Sequence, residues 1–429
     1  MVSFSKEVVM NSHNIAWRSE VELKYLVSYS KIHLVMIQHF EGLKCPPETW
    51  PTEHVVTVNA RPETFAIPTI SQLLSYLLDV TMSDGEYLYF AAQCSWFNGT
   101  AFDRVIIFVG WVGTRQWLFS VTETRNRCYR ALFSGSGVRS TITDLKDGTV
   151  MQWWAPKVES EGKPNLVLIH GLGANALWQW GDFVRHVTPY FNVYVPDLVF
   201  FGGSHTTRPE RGERFQAECL VRVMEAKGVG RVSIVGLSYG GFVGYCVAAL
   251  PPEMVERVVL RGSGVCMEER DLKEGLFPLS DLDEAATILV PQTPSKLRDL
   301  VRYTFFKPPS SFHWLPSCFL LDFIQTMRRD YEQEKRELIK ALVKDRKLSD
   351  LPKISQPTLI IWGEHDQVFP LELGHRLKRH LGDNAQLVVI KNAGHAFNME
   401  KAKEFYCILK SYLVDLQLPA ESSPFEVAK

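Results

Sequence analysis

At 429 residues the chain exceeds one typical domain, and its make-up, 46% hydrophobic and 22% charged, is that of an ordinary globular protein. A formal net charge of −1 supplies no field to steer a polyanion, which argues against a nucleic-acid partner. The eight cysteines are scattered without CxxC spacing, so they indicate neither a zinc cluster nor a disulfide framework and read as reduced thiols.

The first residues, MVSFSKEVVMNSHN, lack the basic-then-apolar layout of a signal peptide. The apolar run from Val105 to Gly113 is far shorter than the ~20 residues of a spanning helix. A cytoplasmic location is therefore expected. Residues 1–115 show no sustained period and no motif; Val21–Phe40 and Ser71–Val80 carry weak helical patterns, and the stretch reads as an N-terminal extension: a small extra domain, an unstructured segment, or upstream sequence outside the functional protein.

Regular punctuation begins near Arg139. Ser140–Asp144 and Thr149–Ala155 flank Lys146-Asp147-Gly148, a hairpin signal. Next come strand Asn165–His170, helix Ala174–Val187, strand Asn192–Asp197, helix Glu213–Lys227, strand Arg231–Gly236, helix Gly240–Ala249 and strand Glu256–Arg261. Continuous Val/Ile/Leu strands alternating with helices predict an α/β protein with a mostly parallel sheet covered on both faces. Residues 267–351 interrupt this with helix-like, aromatic-rich sequence and no strand, then a charged helix over Arg328–Lys347. An apolar helical insertion between two sheet strands suggests a lid. Strand Pro357–Trp362, helix Leu371–His380, strand Gln386–Lys391 and helix Met399–Leu416 complete the core, which thus spans 116–266 and 352–416, with a polar tail at 417–429.

GLSYG, residues 236–240, falls between a strand and a helix. A serine so placed is lifted to the strand's carboxyl edge by a tight turn, with Gly236 and Gly240 allowing strand and helix to approach. The helix N-terminus beneath Ser238 favours developing negative charge. A serine hydroxyl needs a base. Two later strands end in WGEHD and NAGH, placing Asp366 and His395 at the same edge, where ligand sites of open α/β sheets form. Ser238 is the expected nucleophile, His395 the base then acid, and Asp366 the group that orients the imidazole. Glu364 is the competing acid, with His365 a loop residue. For the oxyanion the turn offers the Tyr239 N–H, and the loop His170-Gly171-Leu172-Gly173 offers the Leu172 N–H. His170 is read as structural, bonding nearby loop backbone, and Gly171 and Gly173 as letting the loop sit close to substrate. Asp197–Ser204 reads as scaffolding, and Trp178 and Trp180 as core. No metal or organic cofactor is called for.

HGLG, PDLVFFGGS, GLSYGG, WGEHDQVFP and NAGHAFN, in that order, resemble the α/β-hydrolase superfamily. More narrowly they look like plant serine hydrolases akin to monoacylglycerol lipases, and like bacterial carbon–carbon bond hydrolases. The likeness covers about Trp117–Val414; members of the plant type begin near LFSVTETRNRCYR, which leaves residues 1–115 outside the pattern. The resemblance implies a serine hydrolase with a helical lid, acting on an apolar acyl ester, with the lid a candidate for peripheral membrane contact. Two rivals share the residues: a small-molecule receptor on a hydrolase scaffold and a C–C bond hydrolase. Serine rather than aspartate in the turn argues against epoxide hydrolases and dehalogenases. Glu400 makes the segment after the histidine H-x4-E, where some acyltransferase relatives carry H-x4-D.

Overall fold

The computed structural model describes residues 120–415, apart from 251, 279–280, 314 and 329, together with four earlier strands. The chain divides into two compact units, Met1–Thr124 and Arg125–Lys429. In the first, β1 (Ile32–His39), β2 (His54–Val56), β3 (Tyr87–Asn98) and β4 (Ala101–Val109) form an antiparallel sheet in the order β2-β1-β3-β4. This corrects the helix expected over Val21–Phe40, because Ile32–His39 pairs in full register with Tyr87–Cys94. The local pattern cannot reveal a partner roughly fifty to sixty residues away. The helix expected at Ser71–Val80 and the tail 417–429 lie outside the described residues.

The second unit is built on a nine-stranded sheet, preceded by a helix at Val121–Gly135. Its strands are β5 (Val138–Asp144), β6 (Thr149–Pro156), β7 (Asn165–Ile169), β8 (Asn192–Pro196), β9 (His205–Thr206), β10 (Val232–Leu237), β11 (Val255–Arg261), β12 (Thr358–Gly363) and β13 (Ala385–Ile390). The order is β13-β12-β11-β10-β7-β8-β6-β5, with β9 paired to β6. Pairings from β8 through β13 are parallel, and the β5–β6, β6–β8 and β6–β9 pairs are antiparallel.

Alternation along the buried strands divides the core in two. Val167, Ile169, Ile234, Leu260 and Ile360 face Phe242, Met224 and Leu373. Their neighbours Leu166, Leu168, Val235, Val259 and Ile361 face Trp180, Phe405 and Ile408 on the other side. Both faces are apolar because helices cover both, so the strands read as unbroken hydrophobic runs. Each fully buried Leu, Ile, Val or Phe contributes roughly 1.5–3 kcal/mol.

The helix expected over Ala174–Val187 is two short ones, Ala176–Trp180 and Val184–Val187. They break at Gly181, where any side chain would collide with the Tyr129 ring. The helix expected over Met399–Leu416 is likewise split, into Phe397–Glu400 and Ala402–Leu413. Between β11 and β12 the described residues form helices Glu269–Lys273, Leu282–Leu289, Pro294–Thr304, Ser310–His313, Ser317–Met327 and Glu332–Val343. This insertion has its own apolar centre of Ile288, Leu297, Leu300, Leu320 and Ile324. Among the described residues no helix is long and apolar enough to cross a membrane.

Candidate active site

β10 ends at Leu237 and the helix Tyr239–Ala249 starts two residues later, so one residue must make the turn. That residue is Ser238, held at φ +51° and ψ −117°. A non-glycine residue there is strained, at a cost on the order of 1–3 kcal/mol, and persists only where its surroundings enforce it. The enforcement is visible: Ser238 N–H donates to Arg261 O (2.8 Å), and Ser238 O accepts from Gly241 N–H (2.9 Å). A Cβ on Gly236 would lie 2.5 Å from Gly240 O, and one on Gly240 would lie 2.5 Å from both His170 O and Ile169 O. Strand, helix and neighbouring loop therefore meet at glycine-only distances. The hydroxyl makes no helix-capping bond and stays free for another partner.

That partner is His395, in the loop after β13. Its Nε2 is 3.0 Å from Ser238 Oγ, and its Nδ1 is 2.7 Å from Asp366 Oδ2. The Asp366 side chain is fully buried, and its other oxygen accepts from Val368 N–H and Phe369 N–H, both at 2.9 Å. An ionised carboxylate accepting on both oxygens fixes Nδ1 as the protonated nitrogen and leaves Nε2 free to accept from the serine. Glu364 is half-exposed and accepts from Asn392 N–H instead. The half-exposed His365 stacks on Phe306 at 4.2 Å.

The loop after β7 lies alongside. His170 is wholly buried; its Nε2 accepts from Leu198 N–H (2.9 Å), so Nδ1 is the nitrogen that donates to Gly171 O (2.8 Å). Burial pushes its pKa down to about 4, which keeps the ring neutral. Asp197 beneath it accepts from Ala176 N–H (2.9 Å), and burial pushes its carboxyl up to about 7. Ser204 Oγ–H donates to Asp197 O (2.7 Å) and closes the Asp197–Ser204 turn, which meets the loop through the Leu198 N–H to His170 bond. Gln179 holds the loop from the side, accepting from Gly171 N–H (2.8 Å) and donating to Gly171 O (3.2 Å). Trp180 is core, and Trp178 packs edge-on against Tyr129 and Phe323.

Ser238, Tyr239, Leu172, Gly173 and His395 line one chamber of about 130 Å³, roofed by Leu282, Leu289, Tyr303, Ile339 and Leu342 of the insertion. Among the described residues no Asp, Glu, Lys or Arg lines it. It shares Leu272, Leu282 and Val343 with an outer groove of about 750 Å³. A serine hydroxyl hydrogen-bonded to a histidine, itself bonded to a buried carboxylate, faces an apolar space, an arrangement that can carry out acyl transfer.

Residues 164–402, more than half the chain, match the family described as alpha/beta hydrolase fold. The chain belongs to the α/β-hydrolase family. As in that family at large, its activity is hydrolysis. It is 28% identical over 267 residues to a pyrrolizixenacetamide deacetylase of Xenorhabdus hominickii, covering 60% of this chain and 94% of that protein. It is 26% identical over 293 residues to a 2-hydroxy-6-oxononadienedioate/2-hydroxy-6-oxononatrienedioate hydrolase of a Pseudomonas species, covering 64% and 96%. Among solved structures, a bacterial membrane phospholipase A superposes with a TM-score of 0.55 at 25% identity, covering 68% of this chain and 90% of that one.

Four features of this α/β-hydrolase site were not assigned from sequence. Arg261 is a buried arginine closing the apolar Val258-Val259-Leu260 run of its strand; its guanidinium donates to His395 O and to Asn398 Oδ1 (2.7 Å) and lies over Phe397, and burial draws its pKa down to about 10. Its place in VERVVLRG was the available signal. Gly262, at φ +51°, has the Asp366–His395 pair against its α-carbon: a Cβ would lie 3.2 Å from Asp366 Oδ2 and 3.3 Å from His395 Cε1. Arg328, read only as the start of a charged helix, is fully buried and links the insertion to the Leu172 loop, donating to Leu289 O (2.8 Å) and to Gly173 O. Glu400 was noted for its spacing alone, and it bonds the histidine loop.

Proposed function

We propose that the chain is a serine hydrolase that cleaves an uncharged carboxylic ester through an acyl-enzyme. The observation carrying this reading is the pair of hydrogen bonds from Asp366 through His395 to Ser238 Oγ, 2.7 and 3.0 Å, at the edge of an apolar chamber. Ser238 Oγ attacks the ester carbonyl carbon while His395 Nε2 takes the hydroxyl proton. The carbonyl oxygen becomes an oxyanion, received by the backbone N–H groups of Leu172 and Tyr239. His395 then gives its proton to the ester oxygen, the C–O bond breaks and the alcohol leaves. Water repeats the sequence on the acyl-enzyme and releases the acid. Asp366 stays ionised and stabilises the imidazolium. Each proton is moved by a side chain already in place, and no metal or organic cofactor enters a step.

The chamber supports an apolar acyl group, because a carboxylate buried there would find no Lys or Arg among the described residues that line it. Its volume lies well below the roughly 300–1,000 Å³ of pockets that take drug-sized ligands, which favours a short acyl chain. The insertion acts as the lid. A second reading, hydrolysis of a C–C bond, is favoured by the likeness to the Pseudomonas dienedioate hydrolase and uses the same side chains. Purified protein offered p-nitrophenyl esters of rising chain length, beside a 2-hydroxy-6-oxodienedioate, separates the two. Ester hydrolysis should peak at short chains and fall by at least ~10⁴-fold in Ser238→Ala. Preference for the dienedioate would move the weight to C–C cleavage. Tight ligand binding without turnover of either would favour a receptor role.

A further inference from the structure

The loop carrying His395 is held at three consecutive residues, and two of the three holds lead into the insertion. Gly394 N–H donates to Glu400 Oε2 at 2.7 Å. The other oxygen of the same carboxylate, Oε1, accepts from Lys307 N–H of the insertion at 3.0 Å. His395 O accepts from Arg261. Ala396 N–H donates to Thr304 O, the end of the insertion's helix Pro294–Thr304, at 2.7 Å. Backbones touch here as well: a Cβ on Gly394 would lie 2.6 Å from Phe306 N. Phe306 in turn stacks on His365, the residue before Asp366, with ring centroids 4.2 Å apart and planes 12° off parallel.

We infer that Glu400 is a positioning residue for His395 that ties the histidine loop to the 304–307 segment of the insertion. The inference rests on the serine-hydrolase reading above. Glu400 does not line the chamber and acts only through the backbone. Its chemistry suits the task, since an ionised carboxylate accepts on both oxygens and so can join two N–H groups from different parts of the chain. Glutamine cannot: whichever way its amide turns, one N–H faces an NH₂ donor. The segment 304–307 is thereby an anchored end of the lid. Lid movements that open the chamber must pivot about it, because lifting it would release the imidazole from Ser238.

The reading has a direct test. Wild type, Glu400→Gln and Glu400→Asp are compared on p-nitrophenyl butyrate, with kcat normalised by active-site titration and the Nδ1–H proton of His395 followed by NMR. That resonance is identified by its loss in Asp366→Asn. Shifts of up to about 1 Å in a catalytic group cost on the order of 10²-fold, so kcat should fall ~10–100-fold in Glu400→Gln with KM within about twofold. The Nδ1–H signal should shift or broaden. Lys307→Pro, which removes the insertion-side N–H, should lower kcat in the same direction where Lys307→Ala, which removes only the side chain over Phe306, does not, and the Glu400→Gln/Lys307→Pro double variant should lose less than the product of the two. A Glu400→Gln enzyme with lower melting temperature but wild-type kcat per titrated site and an unmoved Nδ1–H signal would overturn the inference, as would full additivity with Lys307→Pro. Wild type that neither titrates nor turns over would instead refute the serine-hydrolase reading itself.

Discussion

Gly240→Ala should destabilise the protein and disable it together, although Gly→Ala in a helix ordinarily stabilises by up to about 1 kcal/mol. Gly240 lies in the first turn of the helix after Ser238, and its Cβ would sit 2.5 Å from His170 O, 2.5 Å from Ile169 O and 2.8 Å from Ile169 C. Ordinary C···O contacts are about 3.3–3.6 Å, so the end of β7 must retreat by roughly 0.8 Å or more. The obstacle is backbone and cannot swing away. Overpacking of this kind costs about 1–3 kcal/mol, or about 2–10 °C in melting temperature for a unit of this size. The retreating segment carries the Leu172 N–H, so kcat/KM should fall on the order of 10²-fold. Scanning calorimetry and ester kinetics measure both. Gly135→Ala is the control: a Cβ there would meet nothing within 4 Å. A Gly240→Ala protein with wild-type melting temperature and kcat/KM would refute the packing argument.

Asp366→Asn should preserve the fold and lower kcat by about 10⁴-fold. Its carbonyl oxygen can still accept from Val368 and Phe369, but its NH₂ then faces His395 Nδ1 and forces the wrong tautomer, which steady-state kinetics at matched KM will show. The two buried groups under the Leu172 loop should pull stability in opposite directions with pH. His170, down at about 4 from 6.5, adds stability above pH 6.5 that is lost as pH falls toward 4. Asp197, up at about 7 from 3.8, adds stability below pH 3.8 that is lost as pH rises through 7. Between pH 4 and 6.5 their slopes, each up to about 1.4 kcal/mol per unit, offset each other. Urea midpoints of Asp197→Asn should therefore climb more steeply from pH 4 to 6.5 than those of the wild type; parallel profiles would contradict the assignment.

The parts of this site readable in sequence are those whose chemistry sits in a side chain at the end of a strand. Ser238, Asp366 and His395 each follow an apolar run that stops at a turn, and the sheet brings such ends to one edge. Glycines were legible for the same reason: Gly236 and Gly240 flank a residue that has to turn sharply. What stayed hidden is carried by backbone groups and by distant partners. The Thr304 carbonyl and the Lys307 amide leave no trace in residue type, so the tie between insertion and histidine loop could not be read. Arg328 looked like one charge among many from Arg328 to Lys347, and only the fold shows its guanidinium buried against Gly173 O and Leu289 O. The Ile32–His39 segment carries a helix-like pattern yet forms a strand, because its pairing partner, Tyr87–Cys94, is remote in the chain. The break at Gly181 depends on Tyr129, more than fifty residues earlier, in a helix that was itself not foreseen.

The central claim is that Ser238 forms a covalent acyl intermediate. The measurement that tests it most directly is intact-protein mass spectrometry after rapid acid quench of the enzyme turning over p-nitrophenyl butyrate, with peptide mapping of any adduct. The account predicts one butyryl group per chain, on the peptide containing Ser238, present in His395→Ala only at trace level and absent in Ser238→Ala. Turnover with no adduct at any quench time, or an adduct on another residue that persists in Ser238→Ala, would contradict it.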